Sequence, residues 1–342
     1  MKKTKKENKI NKIIDIIYDE IKSNIFYYLF LLFILLINVI KLDYYIFSPG
    51  SLMPLDDRIK VENAYPQSGS FNLTYVTARN GTVLNVLISY IIPTWDRVSL
   101  DKIRVEGETD KEANKRGHIE LEQTSYDAII AAFKEAGLEY KVKSLDLIVT
   151  YIYEEAKTTL KVGDIIKKIN NVEVNNIEDL HNEIWKYKEG EELKISVIRN
   201  NHEKEATAVL QKQNDNTLIG IYINALKEVE TNPKVEYVFK NSESGSSRGL
   251  LCALEIYNRI TEEDITKGRK IAGTGVIYED GSIGEIDGVK YKLAGAVNKK
   301  ADIFICPEEN YEEAIKLKEK MKYKIKIISA KTLKEVIEEL KK

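Results

Sequence analysis

A serine and a lysine in the C-terminal third of the chain are spaced as the two halves of an acyl-transfer site. Ser247 lies in Ser244-Gly245-Ser246-Ser247-Arg248-Gly249-Leu250, and Lys290 in Ile286-Asp287-Gly288-Val289-Lys290-Tyr291-Lys292. A serine hydroxyl is a weak nucleophile until a base takes its proton, and a lysine is such a base only when its surroundings lower its pKa towards neutrality. Leu250, Leu251, Leu254, Ile256 and Tyr257 recur at roughly helical spacing, so the Gly-Ser stretch before them is predicted to be a tight turn feeding a helix N-terminus. Ser247 would then stand among unpaired N–H groups able to hold an oxyanion, where one lost donor costs roughly 100- to 1000-fold in rate. The plain alternative makes Ser246 and Ser247 N-caps of a flexible loop.

Lys290 opens a second apolar-periodic segment, Val289 to Val297, directly after a turn at Gly288. The first turn of a helix disfavours a cation, and Val289, Leu293 and Ile286 offer a desolvating wall. The alternative is an ordinary solvated lysine in a lysine-rich chain. His118, His181 and His202 are the three histidines, and all precede this region, which excludes a Ser-His-Asp triad within it. No His/Cys/carboxylate cluster has zinc spacing and no Gly-x-x-x-x-Gly-Lys-Ser/Thr loop occurs, so neither a metal, nor ATP, nor any other cofactor is expected. Cys252 and Cys306 read as small buried hydrophobes. A net charge of −2 gives no pull towards nucleic acid.

The segments Ser244 to Leu254, Lys270-Ile271-Ala272-Gly273-Thr274-Gly275, Asp280 to Lys290 and Ala301 to Pro307 together resemble the proteolytic domain of Lon-type proteases. Several linked motifs in register are more specific than any one of them. Within that superfamily the chain is most similar to the membrane-anchored, ATP-independent branch with a PDZ domain, the SepM/YlbL family of pheromone-processing-type proteases. The resemblance implies Ser247 as nucleophile, Lys290 as general base, Thr274 as the group that holds the lysine amine, and Gly245 as a supporting residue of the nucleophile loop. The family usually has Gly-Pro-Ser-Ala-Gly where this chain has Gly245-Ser246-Ser247-Arg248-Gly249. Arg248 therefore either points to solvent or to an acidic substrate and leaves the pair working, or crowds the oxyanion site and marks a silent copy.

Ahead of this region, Lys2, Lys3, Lys5, Lys6, Lys9 and Lys12 precede an uncharged, nearly apolar run from Ser23 to Ile40. That pattern predicts a basic cytoplasmic N-terminus over 1–22 and an uncleaved transmembrane signal anchor over 23–45, with lysines at its borders and tyrosines at the interface. The remainder would face outward from a cell membrane crossed once. Residues 46–140 are predicted as a β-containing extracellular segment, with strand-like runs at Phe71–Val76 and Val83–Ile88 and a helix from Ser125 to Ala136 closed by Gly137. Residues 141–212 resemble a PDZ domain, with a Gly163-Asp164 turn and an Ile177–Tyr187 helix beside a peptide groove, although no Gly-Leu-Gly-Phe loop is visible. Residues 213–342 form the predicted protease domain. The fold class expected is multidomain α+β: a transmembrane helix, a small β segment, a PDZ-like domain and an α/β Lon-type domain.

The function expected is ATP-independent endopeptidase action on extracellular peptides or unfolded segments through a Ser-Lys dyad, by a serine endopeptidase anchored in the bilayer. A second copy of the chain is admitted as a partner. The reading from another class is a catalytically inactive Lon-fold adaptor that binds peptides through its PDZ domain.

Overall fold

The computed structural model describes residues 2–100, 107–213, 216–240 and 242–342, with the side chains of 2–11, 213 and 216 outside the description. Lys2, Lys3, Lys5, Lys6 and Lys9 of the basic N-terminus thus lie outside the described side chains. Two compact units emerge, one of residues 1–48 and 77–103, the other of 49–76 and 104–342.

The larger unit is built on parallel strands. Ser70–Thr82, Lys270–Gly273, Ile303–Pro307 and Lys326–Ala330 pair in that spatial order, with Ile271 opposite both Phe71 and Ile303, and Ile303 opposite Lys326. A parallel sheet covered on both faces needs apolar residues at successive positions, and Ile303-Phe304-Ile305-Cys306 is buried throughout. Alternation sorts them: Ile271, Ile303 and Ile305 join Leu251, Leu254 and Phe133 in one core, while Ala272, Phe304 and Cys306 join Val289, Leu293 and Ala314 in another. Helix Gly249–Ile260 thus covers one face, and helices Val289–Asn298 and Glu308–Met321 the other. Both cysteines are free and buried, and burial pushes each thiol up to about 12.

The segment expected to stand apart over 46–140 contributes directly to this core. Its strand from Ser70 pairs with the strand from Lys270, and helix Asp110–Glu135 packs on helix Gly249–Ile260. That helix is longer than the Ser125–Ala136 helix expected, because Thr109 accepts from the Glu112 N–H while the Glu112 carboxylate accepts from the Thr109 N–H, a reciprocal cap that starts a helix well ahead of its apolar face.

Between that helix and the rest of the parallel-sheet core, an antiparallel sheet runs in the order Ile221–Thr231, Tyr140–Ile152, Ile165–Ile169, Glu192–Arg199, His202–Val209. Leu147, Ile166, Leu180, Ile184, Ile195 and Val197 are buried beneath helix Ile177–Ile184. Thr231 pairs with Tyr140, so the chain leaves this sheet beside the point where it entered. The Gly163 turn holds φ at +84°, and Asp164 behind it is fully buried, bidentate with Arg199 at 2.7 and 2.6 Å. That ion pair is structural, because both carboxylate oxygens are satisfied within the fold.

In the smaller unit, helix Ile25–Val39 ends at Val39 and a strand begins at Lys41, so residues 41–45 are extended and not part of a helical anchor. Among the described residues no single helix is long and apolar enough to cross a membrane. Lys12–Ser23 and Ile25–Val39, bent by 78°, pass that test together. The Val83–Ile88 run is helical, not a strand: Val83–Ser89 starts where the Thr82 hydroxyl accepts from the Asn85 N–H, a cap that outweighs the β-propensity of its branched residues.

Candidate active site

The site forms at the carboxyl ends of the parallel strands, where an open α/β sheet leaves a crevice. The strand Lys270–Gly273 delivers Thr274, the turn before helix Gly249–Ile260 delivers Ser247, and the first turn of helix Val289–Asn298 delivers a lysine. That lysine is Lys292. Its Nζ lies 3.0 Å from Ser247 Oγ and 3.1 Å from Thr274 Oγ1. Lys290, the expected base, is turned onto the Tyr291 ring, with Nζ 5.3 Å from its centroid.

Helix geometry explains the correction. Val289, Lys292, Leu293 and Ala296 follow the i, i+3, i+4, i+7 pattern of one face, and all four are buried. Lys290 is one residue, about 100° of rotation, beyond Val289 and leaves that face. The fold tolerates a buried lysine because its amine meets two hydroxyls.

Burial also sets its chemistry. Lys292 is 5 % exposed, and desolvation lowers its pKa from 10.5 to about 8, with Asp287 pulling the other way. Thr274 orients the pair. Its hydroxyl donates to the Ser247 carbonyl at 2.9 Å, and since a carbonyl only accepts, the Thr274 oxygen is left to accept from the Lys292 amine. In the neutral amine the lone pair is then available to the Ser247 hydroxyl.

The nucleophile loop is held from outside the C-terminal third. The Gly245 N–H donates to Gly117 O at 2.8 Å, and the Thr124 hydroxyl to Ser246 O at 3.1 Å, both from helix Asp110–Glu135. Gly245 sits at φ +86°, a left-handed backbone that glycine adopts without strain. The Gly275 N–H donates to Ser247 O at 2.8 Å. Two of the helix N–H groups expected to be open are occupied: Gly249 donates to Ser246 O and Leu250 to Gly275 O.

Arg248 takes neither of the two orientations expected. Its side chain is 11 % exposed and folds back, with Nη1 3.0 Å from Glu243, Nη2 donating to Ser244 O at 3.2 Å, and the guanidinium 4.7 Å above Phe239. Glu243 is shared with Arg58 at 3.1 Å. A cavity of about 590 Å³ opens over Ser247 and Lys292, walled by Leu73, Tyr75, Val76, Arg58 and Asp287. A larger cleft of about 740 Å³ lies elsewhere, beside His118, Glu122 and Tyr237. Its Ser125 hydroxyl is committed to the Leu121 carbonyl at 2.6 Å, and of the two it is the smaller cavity that holds a serine hydroxyl beside a lysine amine.

In the antiparallel sheet, a groove of about 260 Å³ runs between helix Ile177–Ile184 and the start of strand Ile221–Thr231, lined by Ile177, His181, Ile184, Ile219 and Ile223. That strand is the last in its sheet. Gly220 precedes it at φ +69°, and Leu218-Ile219-Gly220-Ile221 occupies the groove's end.

Residues 240–342 match the family described as Lon protease (S16) C-terminal proteolytic domain. The last third is a Lon-type proteolytic domain. Residues 135–210 match the PDZ domain family, so the chain combines a PDZ with a Lon-type domain of the serine protease class. Among solved structures, the PDZ domain of an SdrC-like protein from Listeria monocytogenes is 20 % identical over 22 % of this chain and 85 % of its own, with a TM-score of 0.21. Its counterpart from Listeria innocua is 23 % identical over 23 % of this chain and 92 % of its own, with a TM-score of 0.22. A comparison with curated proteins gives no match. Within the Lon-type domain Ser247 and Thr274 meet Lys292 and not Lys290, while Gly245 turns the loop ahead of Ser247.

Proposed function

We propose that this chain is a membrane-anchored, ATP-independent endopeptidase of the SepM/YlbL type, acting outside the cell with Ser247 as nucleophile and Lys292 as general base. The observation that carries the reading is the buried Lys292 amine within hydrogen-bond reach of Ser247 and Thr274. Neutral Lys292 takes the Ser247 proton as Oγ attacks the scissile carbonyl. The resulting ammonium then protonates the leaving amine, and Lys292 next activates the water that hydrolyses the ester. The oxyanion would draw on N–H groups at Ser247 and Arg248, since those of Gly249 and Leu250 are engaged. The Arg248 side chain, held on Glu243, favours a working site over the silent adaptor.

The PDZ groove supports capture of an extended peptide by strand addition. Anchoring rests on helix Ile25–Val39, none of whose side chains is buried, and orientation on the lysines before it. The test is labelling of the full chain with a small fluorophosphonate. Wild type and Lys290→Ala are expected to be modified at Ser247, and Lys292→Met to resist. Equal labelling of the Lys292→Met variant would overturn the assignment of the base, and no labelling of wild type from pH 7 to 9 would return the adaptor.

A further inference from the structure

We infer that the segment Val83–Ile92 is a second membrane contact, an apolar tip that enters the boundary between headgroups and acyl chains beside the exit of helix Ile25–Val39. The inference rests on the anchoring proposed above and extends it to a surface outside the apolar run. Leu87, Tyr90 and Ile91 are exposed, Ile91 to 80 %. Their i, i+3, i+4 spacing puts them on one side of helix Val83–Ser89 and the turn that prolongs it. Large apolar side chains grouped and exposed in this way mark an interaction surface.

What covers them follows from their neighbours in the same unit. The Val83 N–H donates to Ile40 O at 3.2 Å, and Thr82 Oγ1 lies 3.4 Å from Asn38 Oδ1. Helix Val83–Ser89 also packs against helix Ile25–Val39. The tip is therefore fixed at the end of the proposed span, continuous with a helix whose exposed Phe30, Leu32 and Leu36 require an apolar solvent.

The span helix itself has 15 residues, about 22 Å of rise against a hydrocarbon core of roughly 30 Å. A short span leaves its exit end within or just beneath the interface. There Tyr90 finds its preferred depth, and Arg97, whose guanidinium stacks 3.7 Å above the Tyr90 ring, meets the phosphates. A bilayer suits this composition: an apolar face, an aromatic ring at its margin and a cation behind it.

Cysteines introduced one at a time at Ile91, Phe30 and Leu138, labelled in the folded full chain, where Cys252 and Cys306 are buried, with an environment-sensitive fluorophore and reconstituted in phosphatidylcholine/phosphatidylglycerol nanodiscs, test the proposal. Lipid with a nitroxide high on its acyl chain is expected to quench the label at Ile91→Cys and leave that at Leu138→Cys unchanged. Quenching at Phe30→Cys by a deep nitroxide, with none at Ile91→Cys, would overturn the tip and leave the anchor standing. Blue-shifted but unquenched emission at Ile91→Cys would assign the surface to a second copy of the chain. Absence of quenching at both sites would sink the anchor and the tip together.

Discussion

The Ser247–Lys292 site and the PDZ groove are both concave, and they use burial in opposite ways. At the first, polar atoms are withdrawn from water and satisfied by one another: Thr274 is 1 % exposed, and its hydroxyl is engaged on both sides. In the groove, apolar atoms stand open between a helix and a strand at the sheet margin. Burial lowers a pKa in one region and leaves a surface for a ligand to cover in the other. Chemistry and recognition should therefore be separable by mutation.

The largest effect expected is from Ser247→Ala or Lys292→Met. Each should lower kcat/KM for peptide cleavage by about 1000-fold or more, as removal of a nucleophile or its base does, while peptide affinity measured by fluorescence anisotropy stays unchanged. Lys290→Ala should remain within about threefold of wild type, because its side chain leaves the buried face. Loss of peptide binding in Ser247→Ala would break the separation.

The inactive Lys292→Met chain should nevertheless be the more stable one. Lowering the pKa from 10.5 to about 8 corresponds to an order-of-magnitude cost of about 3 kcal/mol for holding the ammonium buried at pH 7, an upper bound on the gain once the hydroxyl contacts are lost. Because the folded pKa is the lower one, the unfolded chain binds more protons between about pH 8 and 10.5, and wild-type stability rises with pH across that window. The advantage of Lys292→Met in thermal unfolding should shrink over the same range. In activity the same group should give a kcat/KM that climbs through about pH 8 to a plateau.

Ile177→Glu, at the open rim of the groove, should weaken peptide binding about tenfold, which corresponds to about 1.4 kcal/mol, the scale of one partly buried aliphatic side chain. KM for long peptides should rise with it, while hydrolysis of a short ester is untouched. Arg248→Ala should lower activity by less than about tenfold. It removes ties to Ser244 and Glu243, but Arg58 still neutralises the buried carboxylate, and the nucleophile loop keeps its support from Gly117 and Thr124.

Local patterns made much of this legible. Ser247 before an apolar-periodic helix and the Gly163-Asp164 turn have signals within a few residues, whereas Thr274 is named through the family resemblance alone. Lys290 and Lys292 both lie in the first turn after Gly288, and only the helix face separates them. The decisive cue was present in the sequence: Val289, Leu293 and Ala296 define the buried stripe, and position 292 lies on it. Pairing of Ser70 with Lys270 has no local signature at all, since it joins segments 200 residues apart through backbone bonds. The cap at Thr82 defeated the strand expected after it, because a side-chain bond to one N–H outweighs the small preferences of Val83, Val86 and Ile88.

The placement of helix Asp110–Glu135 bears on how this protein can be dissected. The catalytic machinery has no single junction at which it can be cut free. A fragment beginning at residue 240 would lack the neighbour strand from Ser70 and the carbonyl and hydroxyl that hold the turn at Gly245 and Ser246. The piece that can be excised is the internal one, because Tyr140 and Thr231 lie side by side and a short splice there would rejoin the chain. In a library of random deletions, tolerated gaps should therefore cluster between those two positions, while cuts on either side leave insoluble products.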